Sequence, residues 1–223
     1  MSADAAGQER PDPGRPSRSV EVERKFDVDA GTPVPDWADV PGVASVTPGE
    51  PRHLDALYLD TSDLALARAG IALRRRTGGP DAGWHIKGPL IDGGRTELGW
   101  PLGESDDVPA AVREELAPVT ADALLPLARI VNDRTAYALL DAGGGVLAEF
   151  VDDHVRTWNL RAGADAEPAF QREWHEWEIE LGPAAAEDAG WREAFFAAVA
   201  DAAFAAGARA ASSASKLARA LGH

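Results

Sequence analysis

The chain has 223 residues, 45% hydrophobic and 26% charged, with a formal net charge of −15 and no cysteine. That length gives one large domain or two small ones. The acidic balance excludes a nucleic-acid surface working by broad phosphate attraction, no apolar run approaches the roughly 20 residues of a membrane helix, and the missing cysteine leaves carboxylates, histidine and water as metal ligands.

Residues 1–18 are polar and rich in Pro, Gly, Asp and Arg. They read as a disordered tail without the apolar stretch of a secretory signal, and a cytoplasmic location is expected. Residues 19–223 read as one domain. Period-two alternation predicts strands at Ser19–Val28 and Arg52–Asp60, then a short helix over Leu64–Ala69 capped by Thr61 and Ser62 and stopped by Gly70. Strands follow at Ile71–Thr77, Gly83–Gly88 and Arg95–Leu102. Short helices are expected at Val108–Leu116 and Thr120–Leu127. Four further strands are expected at Arg129–Leu140, Gly145–Asp152, His154–Leu160 and Gln171–Leu181, with Ala142, Gly143 and Gly144 as a hairpin loop. An Ala-rich helix over Trp191–Ala206 and a second around Ser215–Leu221 end the chain. Nine strands suffice to close an antiparallel barrel with helices outside, an α+β architecture.

Alternate residues of a strand share a face. Glu21, Glu23 and Lys25 therefore lie together, opposite Val20, Val22, Arg24 and Phe26. Arg74 and Arg76 share a face, as do His85 and Lys87, Arg95 and Glu97, and the ladder Glu176, Glu178 and Glu180 opposite His175, Trp177 and Ile179. Carboxylates stacked about 7 Å apart repel unless cations intervene. Turned inward, these faces give a barrel interior of opposed charges, which is costly unless it holds water and ions. Clustered carboxylates suit hard cations such as Mg²⁺ or Mn²⁺, whereas Arg and Lys suit phosphate oxygens. A polyphosphate bound with its metal satisfies both, and phosphoryl transfer asks chiefly for such positioning and charge neutralisation. His85 reads as a structural hydrogen-bonding group and the seven tryptophans as core. His53, His154, His175 and His223 carry no assignment.

From Val20 to Leu221 the chain resembles the CYTH-domain proteins, the triphosphate tunnel metalloenzymes. Glu21-Val22-Glu23-Arg24-Lys25 stands where that family has Glu-x-Glu-x-Lys. Tyr58-Leu59-Asp60-Thr61, Ala69 to Arg76, Trp84-His85-Ile86-Lys87, Arg95-Thr96-Glu97, Asn132-Asp133-Arg134-Thr135, Glu176 to Leu181 and Ser215-Lys216-Leu217-Ala218 follow in the family's order. The resemblance implies a closed eight-stranded antiparallel tunnel with peripheral and C-terminal helices. It implies phosphate binding by Lys25, Arg74, Arg76, Lys87, Arg134 and Lys216, with Arg95 added. Metal binding is expected at Glu21, Glu23, Glu97, Asp152, Glu176, Glu178 and Glu180, with Glu178, Glu180 and Lys25 catalytic. Asp152 is favoured as the interior carboxylate of its strand, with Asp153 replacing it if a bulge or a strand end intervenes. Asn132 departs from the family's paired basic residues. The implied activity is Mg²⁺- or Mn²⁺-dependent hydrolysis of tripolyphosphate; adenylyl cyclase, thiamine triphosphatase and a non-catalytic polyphosphate-binding module are the alternatives, so ATP and thiamine triphosphate are further candidate ligands.

Overall fold

A computed structural model describes residues 14–161, 170–213 and 215–222. The expected tail lies outside the described residues through position 13, and strand structure starts at Ser17. The elements are β1 (Ser17–Glu21), β2 (Glu23–Val28), β3 (Ser45–Val46), β4 (Glu50–Asp60), α1 (Ala65–Arg68), β5 (Ala72–Thr77), β6 (Gly83–Ile91), β7 (Gly94–Pro101), α2 (Ala110–Leu116), β8 (Leu125–Leu140), β9 (Val146–Asn159), β10 (Phe170–Leu181), α3 (Ala189–Ala205), β11 (Arg209–Ala210) and α4 (Lys216–Leu221).

All pairings are antiparallel, in the order β1-β7-β6-β5-β4-β8-β9-β10-β2-β11, with β3 on β8. The sheet therefore has 11 strands along an open path, not the expected closed ring of eight. Its two limbs nevertheless belong to one segment. β1 pairs β7 through Glu21 and β2 pairs β10 from Glu23, so only Val22 separates them. The Val22 carbonyl still accepts from Leu181 N at 3.0 Å. Each residue has one N–H and one C=O, and β2 spends its second edge on β11 at Phe26 and Asp27, which leaves the covalent chain to join the limbs.

Other boundaries shift too. The strand expected at Ser19–Val28 is broken at Val22, and the two expected at Gly145–Asp152 and His154–Leu160 are one, β9. The helix expected at Thr120–Leu127 is absent: β8 begins at Leu125, where pairing of Leu125 with Asp60 outweighs a weak local helical pattern. At α1 the first-turn amides are satisfied by Asp60, which accepts from Leu66 N at 2.9 Å and Ala67 N at 3.0 Å, and by Thr61 Oγ1, which accepts from Ala65 N at 2.8 Å. Asp60 thus takes the role expected of Ser62.

Period-two alternation separates two environments. On one face, Phe26, Val28, Phe150, Trp177 and Ile179 pack under Phe195, Phe196, Val199 and Ala203 of α3. Val112 and Leu116 of α2 cover Leu73, Trp84 and Ile86 in the same way. Each such side chain, fully buried, stabilises the fold by roughly 1.5–3 kcal/mol. Five of the seven tryptophans, Trp37, Trp84, Trp100, Trp174 and Trp177, are buried. Gly78, at φ 76°, lets its loop cross β4 where an added Cβ would sit 2.0 Å from the His53 carbonyl oxygen. On the opposite face, α4 packs Leu217 and Ala220 against Tyr58, Ile130, Val155 and Trp174. The remaining length of that face carries the charges. Among the described residues no helix is long and apolar enough to cross a membrane.

Candidate active site

The charged face lines a cavity of about 320 Å³. β1 and β2 contribute Glu21, Glu23 and Lys25; β5 contributes Arg74 and Arg76; β6 and β7 contribute Lys87 and Arg95; β8 contributes Asn132 and Arg134; β10 contributes Glu178 and Glu180; and α4 contributes Lys216. The structure thus brings together most of the residues singled out by parity. Glu97, Asp153 and Glu176 are buried in its walls. Asp152 is not among the lining residues: it accepts from Trp177 Nε1 at 3.1 Å on the other face. Register explains this without a bulge, because Asp153 stands directly opposite both Arg134 and Glu176.

At the end nearest α4, three carboxylates meet three cations. Ser215 caps α4 by accepting from Ala218 N at 3.1 Å, which starts the helix at Lys216. Lys216 Nζ lies 3.0 Å from Asp153 Oδ2 and 2.7 Å from Glu178 Oε1, and it also contacts Glu176. Arg134 donates from Nε and Nη2 to the two Asp153 oxygens at 2.7 Å each and reaches Glu178 Oε2 at 3.2 Å. Lys25 pairs with Glu178 as well. Burial alone would raise Glu178, yet Lys216, Lys25 and Arg134 hold it well below the usual carboxylate range. Burial would likewise raise Asp153, but Lys216 and Arg134 lower it. Burial would depress Lys216, and Glu176, Glu178 and Asp153 raise it well above the usual lysine value. Oxygens of Asp153, Glu176 and Glu178 lie within 4.8 Å of one another, a spacing open to a metal. The three cations already neutralise them, so this knot needs no ion to be stable.

The other end is different. Glu180 stands in register between Glu23 on β2 and Glu149 on β9. Glu149 pairs with Arg52 at 3.1 Å, Glu23 with Lys25 at 3.0 Å, and Glu21 with Lys87 at 2.6 Å. Among the described residues Glu180 forms no ion pair. Burial, followed by the charge of Glu21, pushes Glu180 up to about 7. Burial also raises Glu21, despite Lys87. Like charges directly opposite across strands destabilise a sheet, so Glu180 against Glu23, with the charge of Glu21 nearby, leaves carboxylate oxygen at this end in want of a further cation. Such all-oxygen donors suit a hard divalent cation.

Cations crowd the wall between. Side chains of Arg74 and Arg76 are 10% and 9% exposed, and the Nε of each is buried without an acceptor. Arg74 reaches Glu97 only at 3.7 Å, and Arg76 contacts Asp81. Burial, then the charges of Arg74 and Arg134, lowers Arg76 to about 9. Guanidinium groups forced together in this way favour an anion between them. Lys87 lies 3.0 Å from Glu97, and His85 holds Glu97 from behind, its Nδ1 2.6 Å from Glu97 Oε1 and its Nε2 3.0 Å from the Asp81 carbonyl. Both nitrogens of His85 are therefore engaged in the wall. Arg95 lines the cavity and, among the described residues, forms no ion pair. Asn132 spends its Nδ2 on Asp153 at 3.3 Å. Sequence reasoning missed Tyr58, Arg52 and Glu149; parity within β4 groups Arg52 with Tyr58, but only pairing with β8 and β9 shows which way that face turns.

Comparison with known proteins bears on the family and the fold. The chain is 44% identical over 174 residues to the uncharacterized proteins MT2285 and Rv2226 of two Mycobacterium tuberculosis strains, a match covering 75% of this chain and 34% of each relative. It spans about a third of their length. An adenylate cyclase candidate from Bacillus halodurans superposes with a TM-score of 0.60 at 17% identity, over 91% of this chain and 97% of that one. The PH1819 protein of Pyrococcus horikoshii does so with 0.51 at 18% identity, over 85% and 92%. These likenesses concern the fold. The family model for the CYTH domain matches residues 19–195, and the chain belongs to the CYTH domain family.

Proposed function

We propose that the chain is a divalent-metal-dependent triphosphatase that splits inorganic tripolyphosphate into diphosphate and phosphate. Members of the CYTH family act on triphosphates and depend on metal. The observation that carries the reading is the division of one cavity between Glu180, which faces Glu23 and Glu149 and forms no ion pair among the described residues, and a guanidinium pair, Arg74 with Arg76, whose buried Nε atoms lack acceptors. A triphosphate bound with its metal corrects both imbalances at once. A volume of about 320 Å³ lies at the low end of ligand pockets, which favours the compact inorganic ion over a nucleotide.

Glu21, Glu23 and Glu180 would hold Mg²⁺ or Mn²⁺, whose chemistry there is to neutralise phosphate charge and polarise the terminal phosphoryl group. Arg74, Arg76, Lys87 and Arg95 bind phosphate oxygens and absorb the charge that grows on the departing diphosphate. Glu178 is kept ionised by Lys25, Lys216 and Arg134, so it serves as a hydrogen-bond acceptor orienting those groups and water, not as a proton reservoir. Water adds to the terminal phosphorus, the bond from that phosphorus to its bridging oxygen breaks, diphosphate leaves with that oxygen and its electron pair, and the water's protons end on the released phosphate and in solvent.

Incubation with tripolyphosphate, ATP and thiamine triphosphate, each with Mg²⁺ or Mn²⁺, tests the reading. The expected result is phosphate release fastest from tripolyphosphate. Cyclic AMP as the main product from ATP, or tight binding without turnover of any of the three, would overturn it.

A further inference from the structure

The outward face of β9 and β10 carries histidines to which neither the cavity nor the family match gives a role. His154 and His175 stand directly opposite in the ladder, and their rings stack face to face, centroids 4.4 Å apart and planes 4° apart. His154 Nε2 touches Glu173 Oε1, and these two side chains are 32% and 47% exposed. The neighbouring acids are already engaged. Asp133 is held by His53 Nδ1 at 2.7 Å and Arg156 at 2.6 Å, and Asp152 by Trp177 Nε1.

The geometry points to a second metal site, in which His154, His175 and Glu173 bind a transition ion such as Zn²⁺ or Ni²⁺ on the outside of the sheet. Opposed residues on adjacent strands have Cβ atoms roughly 5 Å apart, a span that two imidazoles bridge by converging on one ion with metal–nitrogen distances of about 2.0–2.1 Å. In the stacked arrangement the three donors do not converge within 4.8 Å, so binding requires the histidines to turn about χ2, a broad torsion, and to give up the stack. Imidazole nitrogen selects Zn²⁺, Ni²⁺ and Cu²⁺, whereas the all-oxygen set of Glu21, Glu23 and Glu180 suits Mg²⁺ or Mn²⁺, so the two sites divide metals by chemistry. The net charge of −15 favours cation capture at such an exposed position. The outer pair also shares its backbone with the inner knot: His154 follows Asp153, His175 precedes Glu176, and Asp153 faces Glu176. An ion clamping β9 to β10 outside therefore fixes the strand pair that carries the carboxylates inside.

The test needs no substrate and is independent of the triphosphatase reading. The metal-stripped chain, held in excess Mg²⁺, is titrated calorimetrically with Ni²⁺ and Zn²⁺. One saturable site per chain is expected, with a raised Tm. His154→Ala and His175→Ala, checked for unchanged far-ultraviolet circular dichroism, should each weaken binding by roughly tenfold or more. His53→Ala and Glu23→Gln should leave it unchanged. The electron paramagnetic resonance spectrum of Cu²⁺ on the unmodified chain should show coupling to two nitrogens, which decides the matter even if a variant misfolds. Absence of saturable binding, an all-oxygen Cu²⁺ spectrum, or loss of binding in Glu23→Gln would overturn the assignment.

Discussion

Glu23 and Glu180 face each other directly across the pair β2 and β10, and among the described residues Glu180 has no cationic partner. One rung along, Glu178 faces Lys25; the next sets Glu176 against Asp27, where Lys216 and Arg219 intervene. Lys25 reaches Glu23 as well, at 3.0 Å, so of these carboxylates it is Glu180 that forms no ion pair among the described residues. On the proposed reading, Glu180 against Glu23 weakens the metal-free fold and would strengthen a metal-bound one.

Glu23→Gln should therefore separate activity from stability. Removing one of two opposed charges is expected to raise the Tm measured in EDTA while lowering kcat/KM at least tenfold. Arg24→Ala, one residue away, removes a guanidinium 4.6 Å from the centre of the Phe196 ring on the other face. It should cost about 0.5–1 kcal/mol of stability and leave turnover near wild type. Equal activity losses in both variants would refute the assignment of faces.

Glu180 sets a pH dependence with a definite sign. Its folded pKa of about 7 lies above the ordinary 4.5, so the native state keeps a proton that the unfolded chain releases. The metal-free protein should hold this share of its stability below the ordinary value and lose it as pH rises through about 7. A divalent ion at the rung should displace the proton. Comparing Tm against pH in EDTA for the unmodified chain and Glu180→Gln checks the point; parallel curves would sink it.

Arg74 and Arg76 present buried, unpartnered Nε atoms. A hydrogen bond to a charged acceptor contributes about 1.5–3 kcal/mol, so Arg76→Ala should lower kcat/KM roughly ten- to hundredfold. Arg76→Lys should recover only part of it, since an ammonium lacks the planar fork. Full recovery by lysine would mean that charge alone matters at this position.

Lys216 is the hub of the inner knot, and its removal leaves Asp153, Glu176 and Glu178 underpaired. Lys216→Ala should destabilise the fold by about 3–5 kcal/mol in urea unfolding. A loss below about 1 kcal/mol would place the pair energetically with exposed salt bridges.

Asp152→Asn and Asp153→Asn should differ in the same assay. Asp153 is fully buried against Arg134 and Lys216, so its amide variant should lose far more stability and activity than the variant at Asp152, which accepts a single indole bond. Similar losses at both positions would contradict the register of β9.

Alternation along a strand is a local property of backbone geometry, and for that reason Glu21 with Glu23 and Lys25, Arg74 with Arg76, and Glu176 with Glu178 and Glu180 were assignable to common faces from the chain alone. The antiparallel α+β class followed from the same pattern. Register is not local. A shift of one residue between β9 and its neighbours exchanges Asp152 for Asp153, and nothing in the segment from Phe150 to Asp153 specifies which aligns with Arg134. The helix expected at Thr120–Leu127 gave way to β8 because long-range pairing outweighed local propensity. The arrival of Lys216 among three carboxylates depends on where α4 docks. By itself the sequence determined which charges travel together; the tertiary structure alone decided which carboxylates are tied into ion pairs and that Glu180, set against Glu23 and Glu149, is not, because electrostatic energy depends on distances across strands far apart in the chain.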